Sequence, residues 1–403
     1  MSKRTPAMPF ILATILIDII GIGIVLPVVP TLILELGGES ISETAKIGGL
    51  LALSYASMQF VFSPILGGLS DKYGRRPILL ISLFALGIDY FIAALSPTLS
   101  WLFLARIVAG IGGASITTAM AYIADVSPPE KRAQNFGMIG AAFGVGFIIG
   151  PLTGGLLGEI GPRVPFFVAG GLALLNWLYG YFILPESLTP ENRRPFSWKR
   201  ANPIGSLAQL KKYPVIMGLV LSLVLIYIAA HAVQSNWSFF VIEEFQWSEA
   251  QIGYSLAFVG LMVALVQGLL IRVAVPKLGQ RRAVYIGITF YALGLLLFAF
   301  ANKSWMMYAF MIPYALGGLA VPTLQAIMSS QLPANEQGEL QGGLTSLISV
   351  TSIVGPPLMT GIFAYFTTEG NFYFAGAAFL LGAILTFISV LFAYRTLRKT
   401  DLN

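Results

Sequence analysis

The 403-residue chain contains no cysteine, a single histidine, and a charged fraction of only 10%. Without cysteine there are no disulfides and no thiolate metal sites, and one histidine cannot build a histidine-rich metal centre. No phosphate-cradling glycine loop or nucleophile–base set is visible, so an enzyme is not expected. A soluble domain is nearer one quarter charged, so the scarcity of charge also argues against a water-exposed surface over most of the chain. The formal net charge of +6 would suit a nucleic-acid partner only if it were gathered in a stripe. Instead the basic residues sit in short loops between apolar runs, a pattern set by membrane topology. No nucleic acid, cofactor or metal is expected.

What is present in excess is apolar length. Hydrophobic residues make up 56% of the chain, its mean hydropathy is +0.80, and runs of about twenty residues, enough to cross a bilayer, recur about twelve times. Lys3 and Arg4 precede the first run as in a signal peptide. That run continues through Pro27 and Pro30 with no small-residue cleavage pattern, which predicts an uncleaved first helix. The predicted helices are 8–34, 46–70, 77–95, 99–125, 133–158, 162–185, 213–242, 249–275, 282–301, 304–330, 338–366 and 370–395.

Basic residues sort to one side of that arrangement. Lys72, Arg75 and Arg76, then Lys131 and Arg132, then Lys277, Arg281 and Arg282 fall in alternate loops, with Lys3, Arg4, Arg395, Arg398 and Lys399 on the same side. Only Lys46, Arg163 and Lys303 fall opposite. This asymmetry predicts cytoplasmic termini. The long polar stretch after Pro185 predicts a division into an N-terminal six-helix bundle (1–185), a cytoplasmic linker (186–212) and a C-terminal six-helix bundle (213–403). A surface helix over Ile204–Leu210 is an option, since that segment is mildly amphipathic. The two halves share markers at one offset: Gly74 and Gly279 before basic pairs, Gly150-Pro151 and Gly355-Pro356, and, within one residue, Trp101 with Trp305 and Glu130 with Glu336. Such spacing argues for duplication. Arg272 and Pro276 replace Gly67 and Asp71 in the second copy, so charge chemistry is concentrated in the first half.

Of the acidic residues only Asp18 and Asp89 lie deep within apolar spans, and Arg106 is the one basic residue so placed. Ionisable groups at membrane depth cost several kcal/mol and are functional candidates by default; the alternative is an ion pair that only fixes packing. Asp89 lies nine positions before the turn near Thr98 and Arg106 eight after it. A helical hairpin therefore brings them to similar depth, roughly 12 Å below the turn. Burial disfavours a charged carboxylate and a nearby guanidinium favours it, so relative motion of the two would couple protonation to conformation. Asp18, Asp89 and Arg106 are the expected proton-coupling set.

Three further patterns carry information. The run Gly67-Gly68-Leu69-Ser70-Asp71-Lys72-Tyr73-Gly74-Arg75-Arg76-Pro77 is a charged turn in which Gly74 can take positive φ. Gly146, Gly150, Gly154 and Gly158 recur every fourth residue and make one smooth helix face, extended by Pro151 and Gly155. Mid-helix amides Gln59, Gln267 and Gln325, with His231 and Gln234 on helix seven, are candidate substrate contacts. Each glutamine would serve equally as interhelical glue, and His231 as a hydrogen-bonding cavity wall rather than a proton carrier.

The first run resembles the loop between the second and third helices of the major facilitator superfamily, and Gly150-Pro151-x-x-Gly154-Gly155 resembles the exporter signature of that superfamily. Arg106-Ile107-Val108-Ala109-Gly110-Ile111-Gly112-Gly113 is similar to its proton-coupling motif. The stretch from Asp18 to Pro27 is similar to the start of the twelve-helix drug/proton antiporters. Gly87-Ile88-Asp89-Tyr90, Ala124-Asp125, Pro165-Phe166-Phe167, and Glu336-Gln337-Gly338 with Leu340-Gln341-Gly342 resemble the tetracycline/proton antiporter branch. The resemblance implies an all-α membrane protein of twelve transmembrane helices in two pseudo-symmetric six-helix halves. It would be a monomer in a bacterial inner membrane, exporting a small amphipathic drug-like molecule in exchange for protons by alternating access. It further implies that Gly67, Asp71, Gly74, Arg75, Arg76 and Asp125 form a conformational latch at the inner mouth.

One departure stands out. Where that branch carries a histidine on helix eight and an aspartate on helix nine, this chain has Val263 and Tyr291. Either coupling relies on the N-terminal carboxylates alone, or the substrate is not a metal-chelated tetracycline. A carrier for another metabolite by symport or uniport is the alternative, and a non-transporting membrane scaffold a more distant one. The glycine face on helix five argues against the former. The cost of the buried carboxylates argues against the latter.

Overall fold

A computed structural model describes residues 7–113, 115–127, 132–198, 205, 210–332 and 336–398. The described residues form helices, turns and loops, with no strand among them. Among them, twelve helices are long and apolar enough to cross a membrane. They are α1 (Met8–Val25), α2 (Ile41–Tyr73), α3 (Arg75–Ala94), α4 (Leu99–Val126), α5 (Met138–Gly158) and α6 (Val164–Ile183), followed by α7 (Met217–Gln234), α8 (Glu249–Leu278), α9 (Gln280–Ala299), α10 (Ser304–Ser330), α11 (Leu340–Thr367) and α12 (Ala377–Leu397).

The predicted spans match this order, but several are interrupted. The predicted 8–34 helix stops at Val25 and resumes as a short helix, Val29–Glu35. Pro27 and Pro30 explain the break, because proline cannot donate to the preceding turn. The predicted 213–242 helix ends at Gln234 and restarts at Trp237. The last helix begins at Ala377 rather than 370, after a loop in which Gly370 takes φ 86°. Helix α8 carries a π-helical turn at Val266–Leu270, and α10 a tight 3-10 turn at Gly317–Leu319. The surface helix considered over Ile204–Leu210 lies largely outside the described residues.

Contacts divide the chain into two packed units. The first contains residues 1–37, 54–202 and 248–257; the second contains 38–53, 203–247 and 258–403. Two spans are therefore shared: the opening of α2 belongs to the second unit and the opening of α8 to the first.

In the first unit, α1 is central. It packs on α5, α6 and the last turns of α4, and Phe10, Ile11, Ile15 and Ile19 join Leu79, Ala119, Tyr122 and Ile123 in one buried core. The opening of α8 is held by polar contacts. Thr31 donates from Oγ1 to Glu249 Oε1 at 2.6 Å, and the Ala250 N–H donates to Glu159 Oε1 at 3.1 Å. The Ser248 hydroxyl and that N–H hold the exposed Glu159 carboxyl below the usual glutamate range.

In the second unit, α7, α9, α10, α11 and α12 share a core around Leu219, Leu223, Val284, Ile288, Leu324 and Ile327. Trp237 meets Phe298 and Phe379, and Phe240 meets Phe379, edge to face beyond it. The opening of α2 docks here through Gly48 against the Phe239 ring, and through a 2.7 Å hydrogen bond between the Ser42 and Thr367 hydroxyls.

Candidate functional site

The intramembrane charges gather in the first unit. Asp89 on α3 and Arg106 on α4 form an ion pair: Nη2 of Arg106 donates to Asp89 Oδ1 at 3.1 Å and Oδ2 at 2.9 Å. The hairpin geometry expected from their spacing is the geometry found. The Asp89 side chain is 1% exposed and that of Arg106 19%. The pairing is one-sided, because a single guanidinium nitrogen serves both oxygens while buried Nε has no partner. Part of the donor fork is therefore uncommitted.

Asp18 stands apart from that pair. Its Oδ1 lies 3.5 Å from Nδ2 of Asn176 on α6, and Asn176 in turn exchanges hydrogen bonds with Thr14, accepting from Oγ1 at 3.2 Å and donating to the main-chain oxygen at 3.3 Å. Thr14 and Asp18 are four residues apart on one face of α1. Asp18, Asp89 and Arg106 all lie close enough to Tyr55 on α2 and Tyr90 on α3 to act on both phenols electrostatically. The cluster is thus larger than the expected three residues. Asn176, Thr14, Tyr55 and Tyr90 were missed, although Asn176 is the only amide in an otherwise apolar span and could have been flagged on that ground. Gln59 borders the cluster, donating to Tyr55 Oη at 3.3 Å and to the Gly113 carbonyl at 3.3 Å.

The charged turn closes one end of the same unit. Gly74 has φ 108° and caps α3; Gly279 has φ 77° and caps α9. The duplicated sequence marker is therefore a duplicated backbone conformation that L side chains rarely adopt. Arg75 donates from Nη1 to Asp71 Oδ1 and Ser70 Oγ, both at 2.6 Å, and from Nε to Asp125 Oδ2 at 3.1 Å. Charge-assisted bonds of this length are the strong ones. Asp125 also accepts from Ser187 Oγ at 3.0 Å. Arg76 turns away to the Tyr181 carbonyl at 2.7 Å.

A further residue at this end was not anticipated. The Glu186 carboxylate accepts from the N–H groups of Arg75 at 2.8 Å and Arg76 at 3.2 Å, so it fills the orphan donors at the start of α3. Downstream, Phe196 covers Gly68. A side chain at Gly67 would meet nothing within 4 Å, so no close approach explains that glycine in this conformation.

The glycine face of α5 lies on α1. A Cβ at Gly146 would fall 2.6 Å from Ile19 Cγ2, one at Gly150 2.8 Å from the Gly23 Cα, and one at Gly154 against the Ile24 carbonyl oxygen. Gly155 faces differently, toward Gly253 and Ala250 at the opening of α8. Pro151 lies inside α5 with its ring against Gly23.

Among the described residues of the second unit no ion pair matches it. Tyr291 lies over Gly317 and stacks at 5.0 Å on Tyr314, their hydroxyls 3.5 Å apart. Val263 joins an apolar patch with Val266, Ala315 and Leu319. Of the candidate amides, Gln325 donates to Tyr227 Oη at 3.2 Å, and Gln267 sits on the π-helical turn beside Gly318. His231 packs its ring on Gly355, and Gln234 ends α7 exposed.

Twelve apolar spans with an ion pair buried inside one unit are the architecture of a membrane transporter. The chain belongs to the major facilitator superfamily, whose family model matches residues 11–274 and 219–401. It is 42% identical over 383 residues to tetracycline resistance protein, class C, of Escherichia coli, covering 95% of each chain. It is 35% identical to the class B protein of Escherichia coli over 92% of each chain. Among solved structures it resembles the human organic anion transporter MFSD10 (TM-score 0.72, 23% identity, 96% and 98% of the two chains covered). It also resembles a bacterial homolog of the human lysosomal transporter Spinster (TM-score 0.77, 16% identity, full coverage of both). These two likenesses concern the fold.

Proposed function

We propose that the chain is a proton-driven exporter of small amphipathic drug-like molecules, with tetracycline-like compounds the first to test, working by alternating access in a bacterial inner membrane. The observation that carries this reading is the Asp89–Arg106 pair, with Asp18 in the same unit, in a chain whose relatives are tetracycline resistance proteins. At an effective dielectric constant of about 20, a unit charge pair at 4 Å is worth ~4 kcal/mol. Protonating the carboxylate removes that attraction and can therefore bias two conformations by about a thousandfold. Protonation frees Arg106; release of the proton restores the pair. Substrate and proton are then exchanged by turns. Both termini and the Gly67–Pro77 turn face the cytoplasm in this reading, in line with the basic loops. The residues Asp71, Arg75 and Asp125, with Glu186, act as a latch at the inner mouth, and 186–212 links a bundle over 1–185 to one over 213–403.

With Val263 and Tyr291 uncharged, proton coupling rests on the N-terminal carboxylates. The test is a susceptibility panel in bacteria lacking their own pumps. Wild type should protect against at least one tetracycline or cationic dye, and Asp89→Asn should lose that protection at equal expression. Equal susceptibility with wild type, Asp89→Asn and empty vector would favour a metabolite carrier.

A further inference from the structure

Beside Asp18 is a cavity of about 20 Å³, lined by Thr14, Asp18, Leu79, Leu83, Ala119 and Phe143, among others. That is room for one water, which needs polar partners to stay. Thr14 and Asp18 supply two. Both come from α1, one turn apart, and the other lining residues are apolar. The cavity lies toward the end of the bundle that carries the charged turn: Leu79 is in the second turn of α3, and Thr14 is one turn before Asp18 on α1.

From this arrangement we infer that Asp18 discharges its proton through a hydrated passage inside the N-terminal bundle, between α1, α3, α4 and α5, with Asn176 as its positioning residue. The inference rests on the exporter reading and deepens it. Asn176 is 2% exposed. Its amide exchanges two bonds with Thr14, which keeps Nδ2 aimed at Oδ1 of Asp18, and Asp18 also lines the cavity. The proton leaves Asp18 for a water in the passage, and a hydronium or its equivalent exits at the cytoplasmic end. No bond other than O–H is made or broken. The titratable groups that Asp18 acts on are Tyr55 on α2 and Tyr90 on α3, which Asp89 and Arg106 also reach. Tyr122 and Asp125 at the far end of α4, and Tyr179 on α6 against Phe10, face elsewhere. No titratable residue lies on α5 between Met138 and Gly158.

The test uses the full-length protein in proteoliposomes with labelled tetracycline as the probe. Three variants are compared with wild type: Asn176→Leu, the conservative Asn176→Gln, and Ala119→Leu, which fills the passage. Two readouts are taken: transport driven by a proton gradient over a range of pH, and tetracycline exchange at equilibrium, which needs no net proton movement and also reports folding. Asn176→Leu and Ala119→Leu should lose about tenfold or more of driven transport, with a displaced pH profile for Asn176→Leu, while exchange stays within about twofold. Asn176→Gln should recover part of the loss. Driven transport and exchange falling together, or neither falling, would overturn the passage. If Asp18→Asn leaves driven transport intact, the exporter reading of Asp18 fails first and the passage with it.

Discussion

Replacing Gly154 with alanine places a methyl group against the main chain of α1. Its Cβ would fall 2.6 Å from the Ile24 carbonyl carbon and 2.7 Å from the Ile24 Cα, where ordinary contact begins near 3.4 Å. A side chain could rotate away; a helix backbone cannot, so α1 must withdraw as a body. Overpacking of this kind costs about 1–3 kcal/mol. The natural control is Gly67→Ala, also within a helix, where the added methyl meets nothing within 4 Å. Both substitutions gain about the same helix propensity, up to ~1 kcal/mol, so their difference isolates the steric cost. Thermal unfolding of the two purified variants in one detergent should rank Gly154→Ala below Gly67→Ala by about 1–3 kcal/mol. Transport should also fall in Gly154→Ala, because Ile24 and Asp18 share α1. Equal stability of the two variants would refute the close α1–α5 packing.

Three other outcomes follow from the same geometry. Arg106→Ala strands a buried carboxylate and should destabilise by about 3–5 kcal/mol, with the double variant Asp89→Asn/Arg106→Gln losing less, as read by unfolding of the purified proteins. Glu186→Ala removes the acceptor for two N–H groups at the start of α3, costing about 1 kcal/mol and slowing transport without weakening tetracycline binding; loss of binding would place Glu186 outside the latch. Glu159 has a depressed titration through Ser248 and Ala250, so its contribution is complete above the ordinary glutamate value of 4.5 and is lost as pH falls through its lower folded value. A stability difference between wild type and Glu159→Gln that persists at neutral pH and disappears in acid is the expected signature.

The spans were legible in the sequence because a twenty-residue apolar run has one stable form in lipid, a helix that satisfies its own backbone. The Asp89–Arg106 pair was legible too, since two charges equidistant from a turn must meet at one depth. Gly74 and Gly279 were readable as turns for the same local reason. Other features depend on packing that no spacing encodes. Helix α7 ends at Gln234 with no proline to announce it, and the π-helical turn of α8 has no glycine–proline signal ahead of it. Asp18 was grouped with Arg106 by depth alone, yet its hydrogen-bond partner is Asn176, which is distant in sequence and fixed only by the packing of α6 on α1. Glu186 carries no sequence signal of its own; only the turn that starts α3 places two N–H groups over it.

The most direct test of the account follows protons and substrate together in proteoliposomes containing wild type or Asp89→Asn. Wild type should move protons when tetracycline is added and stop when the gradient is collapsed, and Asp89→Asn should bind tetracycline but move neither. Proton movement that persists in Asp89→Asn at the wild-type rate would contradict the claim that this ion pair couples the two flows.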